Sequence, residues 1–190
     1  MSEKTMTSTF NQQSISFLDY PFPGSSVYRG GDVLYTAIRE VDPEASPPEI
    51  RTLNGETLFV SAEQRAAFLE VIGEKSLKVV KRPDIWSMIL EPFLDTEFSE
   101  QQSQQTLIRL AEFGMSRDEV NRLRNEVEAP VLSCNWPIGQ WCYLGLFDVL
   151  HAVRSSLTIT SLANRISPKR YAQFYWNAMQ TAELGSDGSS

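Results

Sequence analysis

The chain has 190 residues, of which 42% are hydrophobic and 22% are charged, and this composition is typical of a folded globular protein. The net charge of −7 argues against a protein that neutralises nucleic-acid phosphates over its whole surface. No apolar run approaches membrane-spanning length and the N-terminus lacks the apolar core of a signal peptide, so we expect a cytoplasmic protein without a membrane segment.

The first forty residues carry weak signals for regular structure. Residues 1–14 are polar and aperiodic, and we interpret them as a flexible N-terminal tail. Residues 15–26 hold several aromatic side chains between prolines, which favours an extended arm lying on the core. In residues 32–41 apolar side chains recur at helical spacing, so a short helix capped by Asp32 is favoured, and a strand is the alternative.

A β-hairpin is predicted at about residues 50–60. Asn54 and Gly55 lie between two apolar runs, and both residues tolerate the positive φ that a two-residue hairpin turn requires. Because a lone hairpin is marginally stable in water, it must pack against helices. A helix is expected to begin near Ser61, and residues 76–82 fit either a strand or a helix.

Helix start and stop signals alternate in the middle of the chain. Residues 84–90 are predicted to form a short amphipathic helix that ends before Pro92. Ser99 and Ser116 are predicted to open the next two helices. Gly114 ends one helix just before the next begins, which is typical of an αα-hairpin or corner. Pro130 is expected to close the last of these helices.

The segment at about 138–154 is predicted to be the central helix of the fold. Its apolar side chains cover an arc of about 240° at roughly 100° per residue, so it needs neighbours on several sides. We therefore expect a mainly α fold (α+β with a minor β component), built as a multi-helix domain around this helix. The domain is expected to span residues 15–184, and residues 185–190 are interpreted as a flexible C-terminal tail.

Polar side chains on the central helix are candidates for a ligand pocket. Asp148 and His151 lie three positions apart, so the carboxylate can orient the imidazole as a general base, or the two can satisfy each other along a polar seam. The structural seam is the favoured interpretation. Cys134, expected in a loop, is the third pocket candidate. Cys142 points away from His151 on the same helix, which excludes it as a catalytic partner.

Established metal, cofactor and catalytic patterns are missing from the sequence. His151 is the chain's one histidine, and no cysteine or carboxylate spacing completes a zinc site, so we expect no metal. No glycine-rich loop follows a predicted strand in the way that cradles phosphates, so we expect no cofactor. We assign no catalytic residue, and an enzyme is the less favoured class.

A final helix is predicted to begin at Ser167 and Pro168. The segment 157–179 is similar to the opening of a helix-turn-helix and is locally basic, which makes a DNA-binding regulator one alternative. Ser167 stands where that motif usually has glycine, and Pro168 stands where it has an apolar residue. An ordinary end of the helical domain is therefore favoured.

The leading hypothesis is a non-enzymatic protein–protein interaction or regulatory protein in the cytoplasm. Its motivation is the lack of a catalytic set, together with aromatic and basic side chains near the C-terminus. The interaction candidates are Arg165, Lys169, Arg170, Tyr175 and Trp176. A protein partner is expected, whereas the sequence specifies neither its identity nor the oligomeric state. A third hypothesis is an enzyme or small-ligand-binding protein with a pocket beside Asp148 and His151.

Overall fold

The described part of the chain comprises residues 6–94, 100–135, 143–155, 157 and 166–186 of a computed structural model. Helix accounts for 54% of these residues and strand for 17%, in an α+β fold with two small three-stranded sheets and six helices. The predicted mainly α fold with a minor β component is wrong, because it omits one complete sheet.

Contacts within the chain divide it into two compact units, Met1–Lys81 and Arg82–Ser190. Among the described residues, both sheets and one helix belong to the first unit, and the other five helices belong to the second. The expectation of a single domain over residues 15–184 stays a prediction, since a grouping of contacts does not test whether the two units fold together.

The first sheet is an antiparallel meander in the order β1-β2-β3. Its strands are β1 (Thr7–Phe10), β2 (Ser14–Leu18) and β3 (Gly30–Leu34). In β2, buried Ile15 and Phe17 alternate with less buried serines, which is the period-2 pattern of a half-buried strand. Strands β1 and β2 occupy residues that the sequence led us to interpret as a flexible tail and an extended arm, and β3 overlaps the start of the favoured helix at 32–41. This sheet is the main reason why the predicted fold class needs correction.

The helix favoured over residues 32–41 does not form. These residues run from the end of β3 through a 3-10 turn at Tyr35–Ala37 into β4 (Ile38–Asp42). Val33 and Val41 are both buried, but on different strands. The turn interrupts the period-2 alternation of the strands. The inward-facing residues of β3 and β4 therefore recur at a spacing that resembles that of one helix face.

The second sheet is antiparallel, in the order β4-β5-β6. Its other strands are β5 (Glu49–Thr52) and β6 (Thr57–Phe59). The predicted hairpin is confirmed, since Arg51 pairs with Thr57. Its turn differs from the expected two-residue type. The Thr52 N–H donates to the Glu56 carbonyl at 2.9 Å and closes a three-residue loop, in which Gly55 has a φ of 82°.

A buried ion cluster joins the strands of the second sheet. The Arg51 guanidinium lies 3.2 Å from Glu40, 2.6 Å from Glu49 and 3.9 Å from Asp42, and it also donates to the Val80 carbonyl. Residues 76–82 form neither a helix nor a full strand; the one bridge there joins Val79 to β4. The cluster thus ties this segment to the register of β4 and β5.

One helix of the first unit, α1 (Arg65–Lys75), follows a 3-10 turn at Ala62–Gln64. The expected capping bond of Ser61 is absent, and its hydroxyl instead donates to the Glu63 carboxylate. The helix ends at Ser76, whose φ of 53° is left-handed.

Five helices build the described part of the second unit. They are α2 (Ile85–Leu90), α3 (Glu100–Glu112), α4 (Arg117–Asn135), α5 (Leu146–Ser155) and α6 (Pro168–Glu183). The short helix predicted at residues 84–90 and the capping box predicted at Ser116 are confirmed, while the predicted box at Ser99 lies outside the described residues. Asp84 accepts a hydrogen bond from the Ser87 N–H at 2.9 Å, and Ser116 and Glu119 bond reciprocally as a capping box.

Helix α4 continues through Pro130 to Asn135, so the predicted end at Pro130 is wrong. Proline removes one helical hydrogen bond and therefore disfavours a helix interior. Here Val127 and Val131 are buried on either side of it, and the burial of this apolar face offsets that loss.

The predicted central helix is shorter than expected. Residues 143–145 are not helical and α5 begins at Leu146, while residues 138–142 lie outside the described part of the chain. The Asp148 carboxylate accepts a hydrogen bond from the Gly145 N–H at 2.8 Å, which satisfies a free amide at the helix start. The buried face of α5 packs against α2, α4 and α6.

Candidate functional site

An open groove of about 380 Å³ lies between α4 and α6 in the second unit. Its apolar lining residues are Trp86, Leu123, Phe174, Ala178 and Leu184. Its polar lining residues are Arg122, Glu126, Asn177, Gln180 and Thr181. The helical period explains this division, since each helix turns an apolar stripe toward the interior and polar positions toward solvent.

The floor of the groove is held in place by Trp86 of α2. Its ring is fully buried, and its indole N–H donates to the Ala178 carbonyl of α6 at 3.0 Å. The ring also packs against Phe174, with centroids 6.4 Å apart. Helix α2 therefore fixes the depth of the groove, while α4 and α6 form its sides.

The α4 rim carries one charge of each sign. Arg122 and Glu126 lie one helical turn apart, with nitrogen and oxygen 3.6 Å from each other. Their side chains are 65% and 40% exposed, so the attraction between them is weak and each remains accessible to another charge. On the α6 rim, Asn177 and Gln180 are exposed and uncharged.

A second cluster lies where α2 and α5 begin. The hydroxyl of Tyr143 donates to Asp84 Oδ2, and a Cβ placed on Gly145 would lie only 2.7 Å from the same oxygen. Asp148 Oδ2 binds the Gly145 N–H. Two carboxylates thus approach one glycine, and a side chain at that position would require the hydrogen-bonded Asp84 carboxylate to shift.

Burial raises the pKa of the Asp148 carboxyl to about 6. The negative charge of Asp84 raises it as well, while the hydrogen bond from Gly145 acts in the opposite direction. His151 is half-buried one turn later, and its ring stacks on Phe147 with centroids 6.2 Å apart. The pKa of Asp148 is therefore set mainly by its burial, with smaller contributions from the Gly145 hydrogen bond and the charge of Asp84.

The other predicted site residues are placed as follows. Cys134 lies in the last turn of α4 and not in a loop, and its side chain lies outside the described part of the structure. Arg165 also lies outside it, as do residues 158–164 of the proposed helix-turn-helix. Lys169 and Arg170 are exposed in the first turn of α6, where Ser167 caps the helix as predicted.

Of the two aromatic candidates on α6, Tyr175 is fully buried and Trp176 is half-exposed. Their rings contact each other edge to face at 5.8 Å. Tyr175 therefore belongs to the core and is not accessible to a partner in this structure.

Sequence reasoning missed the groove residues and the partners of Asp148. Trp86 and Arg122 were recognised as parts of helices, but nothing in the sequence places α2 beneath α4 and α6. Asp84 was recognised as the start of a short helix, and its contact with Tyr143 depends on bringing two distant segments together. Only the apolar stripe of α6 gave a usable signal.

Comparison with protein-family models, with curated proteins and with solved structures gave no match. Among the described residues, no group of three or more His, Cys, Asp or Glu side chains is arranged to hold a metal ion. None of the described helices is long and apolar enough to cross a membrane.

Proposed function

We propose that this is a non-enzymatic cytoplasmic interaction protein, whose second unit binds an amphipathic helix of a partner protein in the groove between α4 and α6. The observation that supports the proposal is an accessible groove of about 380 Å³ with an apolar floor and polar rims. Apolar clefts between helices are a recurring docking site for the apolar face of another helix.

The dimensions of the groove limit the length of its occupant. Its lining on α6 runs from Phe174 to Thr181, which corresponds to about 10 Å at 1.5 Å per residue. About two turns of a bound helix fit along that distance. The occupant therefore needs apolar side chains at positions i, i+3 or i+4, and i+7.

The two charges on the α4 rim favour one direction of the bound helix along the groove. An acidic side chain of the occupant next to Arg122 and a basic one next to Glu126 each meet an opposite charge. Such a pair is separated by one turn on the bound helix, just as Arg122 and Glu126 are on α4. A partner helix with the reversed order of charges meets two like charges instead.

The test is selection of peptides from a random display library on the full-length chain. Selected peptides are expected to carry the apolar spacing described above and to bind the unaltered protein. Asn177→Trp places a bulky side chain on the groove rim and should weaken their binding at least tenfold. Gln173→Trp, one turn earlier on the exposed side of α6 and outside the groove, is the matched control. Selected peptides that bind both variants equally would exclude the groove.

A second candidate function is small-ligand binding or catalysis beside Asp148 and His151. It is favoured by one observation, the pKa of Asp148, which burial raises to about 6, close to the range in which a carboxyl acts as a general acid. The substitution His151→Gln separates the two functions. Loss of a ligand found by fragment screening, with peptide binding in the groove intact, favours the pocket; retention of that ligand favours a structural role.

A further inference from the structure

The two edge strands of the first sheet differ in whether their outward backbone groups are already hydrogen-bonded. At the β1 edge, the Gln64 side-chain amide bonds to both backbone groups of Ser8. It accepts from the Ser8 N–H at 2.9 Å and donates to the Ser8 carbonyl at 2.6 Å. A single side chain thus occupies the positions that an added strand would use. Edges protected in this way do not pair with other chains.

The Gln64–Ser8 hydrogen bonds also indicate which backbone groups of β3, at the opposite edge, point away from the sheet. Because the backbone of Ser8 points away from β2, the alternation of an antiparallel ladder directs Ile15 and Phe17 of β2 toward β3. Their partners are Val33 and Gly31. The intervening residues of β3 therefore direct their backbone groups outward.

The outward groups at the β3 edge are open to solvent. Gly30, Asp32 and Leu34 are all exposed, and Leu34 is 53% exposed. The Gly30 N–H already donates to the Val27 carbonyl. The Leu34 carbonyl accepts the first hydrogen bond of the 3-10 turn at Tyr35–Ala37. The Asp32 N–H, the Asp32 carbonyl and the Leu34 N–H have no partner among the described residues. They present the pattern that an extended peptide completes.

Asp32 marks the centre of this edge with a fixed negative charge. A row of hydrogen bonds crosses the outer face of the sheet, from the Asn11 amide to the Ser16 hydroxyl and from that hydroxyl to Asp32 Oδ1. The second oxygen, Oδ2, has no partner among the described residues. The carboxylate is therefore held in place with one oxygen available.

We propose that β3 is a second docking site, which binds an extended segment of a partner protein that carries a Lys or Arg opposite Asp32. Main-chain hydrogen bonds to both backbone groups of Asp32 and to the Leu34 N–H hold the segment, and the cation pairs with the carboxylate. On an antiparallel segment, the residue two positions before the cation lies next to exposed Leu34 and is apolar. This site lies in the first unit and is independent of the groove.

A second copy of the chain is a poor occupant of the same edge. Full-length antiparallel pairing of two β3 strands matches Gly30 with Leu34 and places Asp32 opposite Asp32. Directly opposed like charges destabilise a strand pair. The central carboxylate thus disfavours self-association and favours a cationic segment.

The test uses the full-length protein and a synthetic probe, acetyl-Thr-Val-Thr-Lys-Thr-Thr-Thr-amide. Amide chemical shifts and hydrogen exchange are followed by NMR. The probe is expected to protect the amides of Asp32 and Leu34 but not that of Ser8, whose edge is closed. A peptide with Glu in place of Lys should bind roughly fivefold more weakly. N-methylation of the probe residues that face β3 should abolish binding.

The charge-swap variant Asp32→Lys supplies the decisive comparison, because it should reverse the preference between the two peptides while leaving the fold intact. Equal binding of both peptides to the unaltered protein overturns the proposal, as does protection of Ser8 alone or no protection at all. A homodimer in sedimentation that Asp32→Lys alters shows that the occupant is a second copy and also overturns it. None of these results depends on the groove in the second unit.

Discussion

The carboxylates of Asp84 and Asp148 meet at the same glycine, although the two residues begin different helices. Asp84 caps α2, Asp148 satisfies the first amide of α5, and Gly145 lies between them without space for a Cβ. Each carboxylate serves its own helix. Burial raises the pKa of Asp148, and the nearby charge of Asp84 raises it further.

The stability of the protein should depend on pH through Asp148. Its pKa rises from 3.8 to about 6 on folding, so the folded state binds the proton more tightly than the unfolded state. The resulting stabilisation is fully present below about pH 4 and is lost as the pH rises through 6. The variant Asp148→Asn should therefore be more stable than the unaltered protein at pH 7, on the order of 2 kcal/mol.

Urea denaturation between pH 4 and pH 8 measures this difference. The gain from Asp148→Asn is expected to shrink toward pH 4, where the carboxyl of the unaltered protein is protonated. An asparagine variant that is less stable at pH 7 would mean that the charged carboxylate stabilises α5 more than burial penalises it.

Alanine at Gly145 should destabilise the second unit by about 1–3 kcal/mol, because the new Cβ lies 2.7 Å from Asp84 Oδ2 and 3.1 Å from the Tyr143 hydroxyl. Gly73 is the matched control, since it lies in α1 and a Cβ there meets nothing within 4 Å. Gly73→Ala should stabilise by about 0.5–1 kcal/mol through helix propensity. Thermal unfolding of both variants checks the prediction, which fails if their effects are alike.

Replacing Arg51 with methionine should cost about 3–5 kcal/mol of stability, because Glu40 and Asp42 then remain buried without their cation. Arg122 is the matched control for Arg51, because its ion pair with Glu126 is largely exposed. Arg122→Ala should change the free energy of unfolding by less than about 1 kcal/mol. Chemical denaturation of the two variants should separate a buried ion cluster from a surface pair, and similar losses would contradict the assignment.

Binding to duplex DNA is not expected at physiological salt, because the net charge of the chain is −7. Lys169 and Arg170 are exposed, so they are the residues to substitute in the test of the helix-turn-helix alternative. An electrophoretic shift that falls steeply with salt and weakens in Lys169→Ala/Arg170→Ala would revive that alternative. A duplex that does not shift even at low ionic strength removes it.

Local chemistry in the sequence located the helix starts at Ser116 and Ser167, although the capping bond expected at Ser61 does not form. Asp84, Ser116 and Ser167 each bond to backbone amides within the next three residues, so their role is encoded in a few consecutive positions. The hairpin near Gly55 was predictable for the same reason. These signals depend little on tertiary context because donor and acceptor are neighbours in the chain. The exception is Ser61, whose hydroxyl donates to the Glu63 carboxylate instead.

Only the tertiary structure decided the first sheet, the passage of α4 beyond Pro130 and the groove. β1 is short and polar, so its strand forms through pairing with β2 and through the Gln64 amide, which lies 56 positions away. The groove likewise requires Trp86 to bond across the sequence to α6. Interactions between distant segments leave no periodic pattern in either one, and that is why the sequence alone did not reveal them.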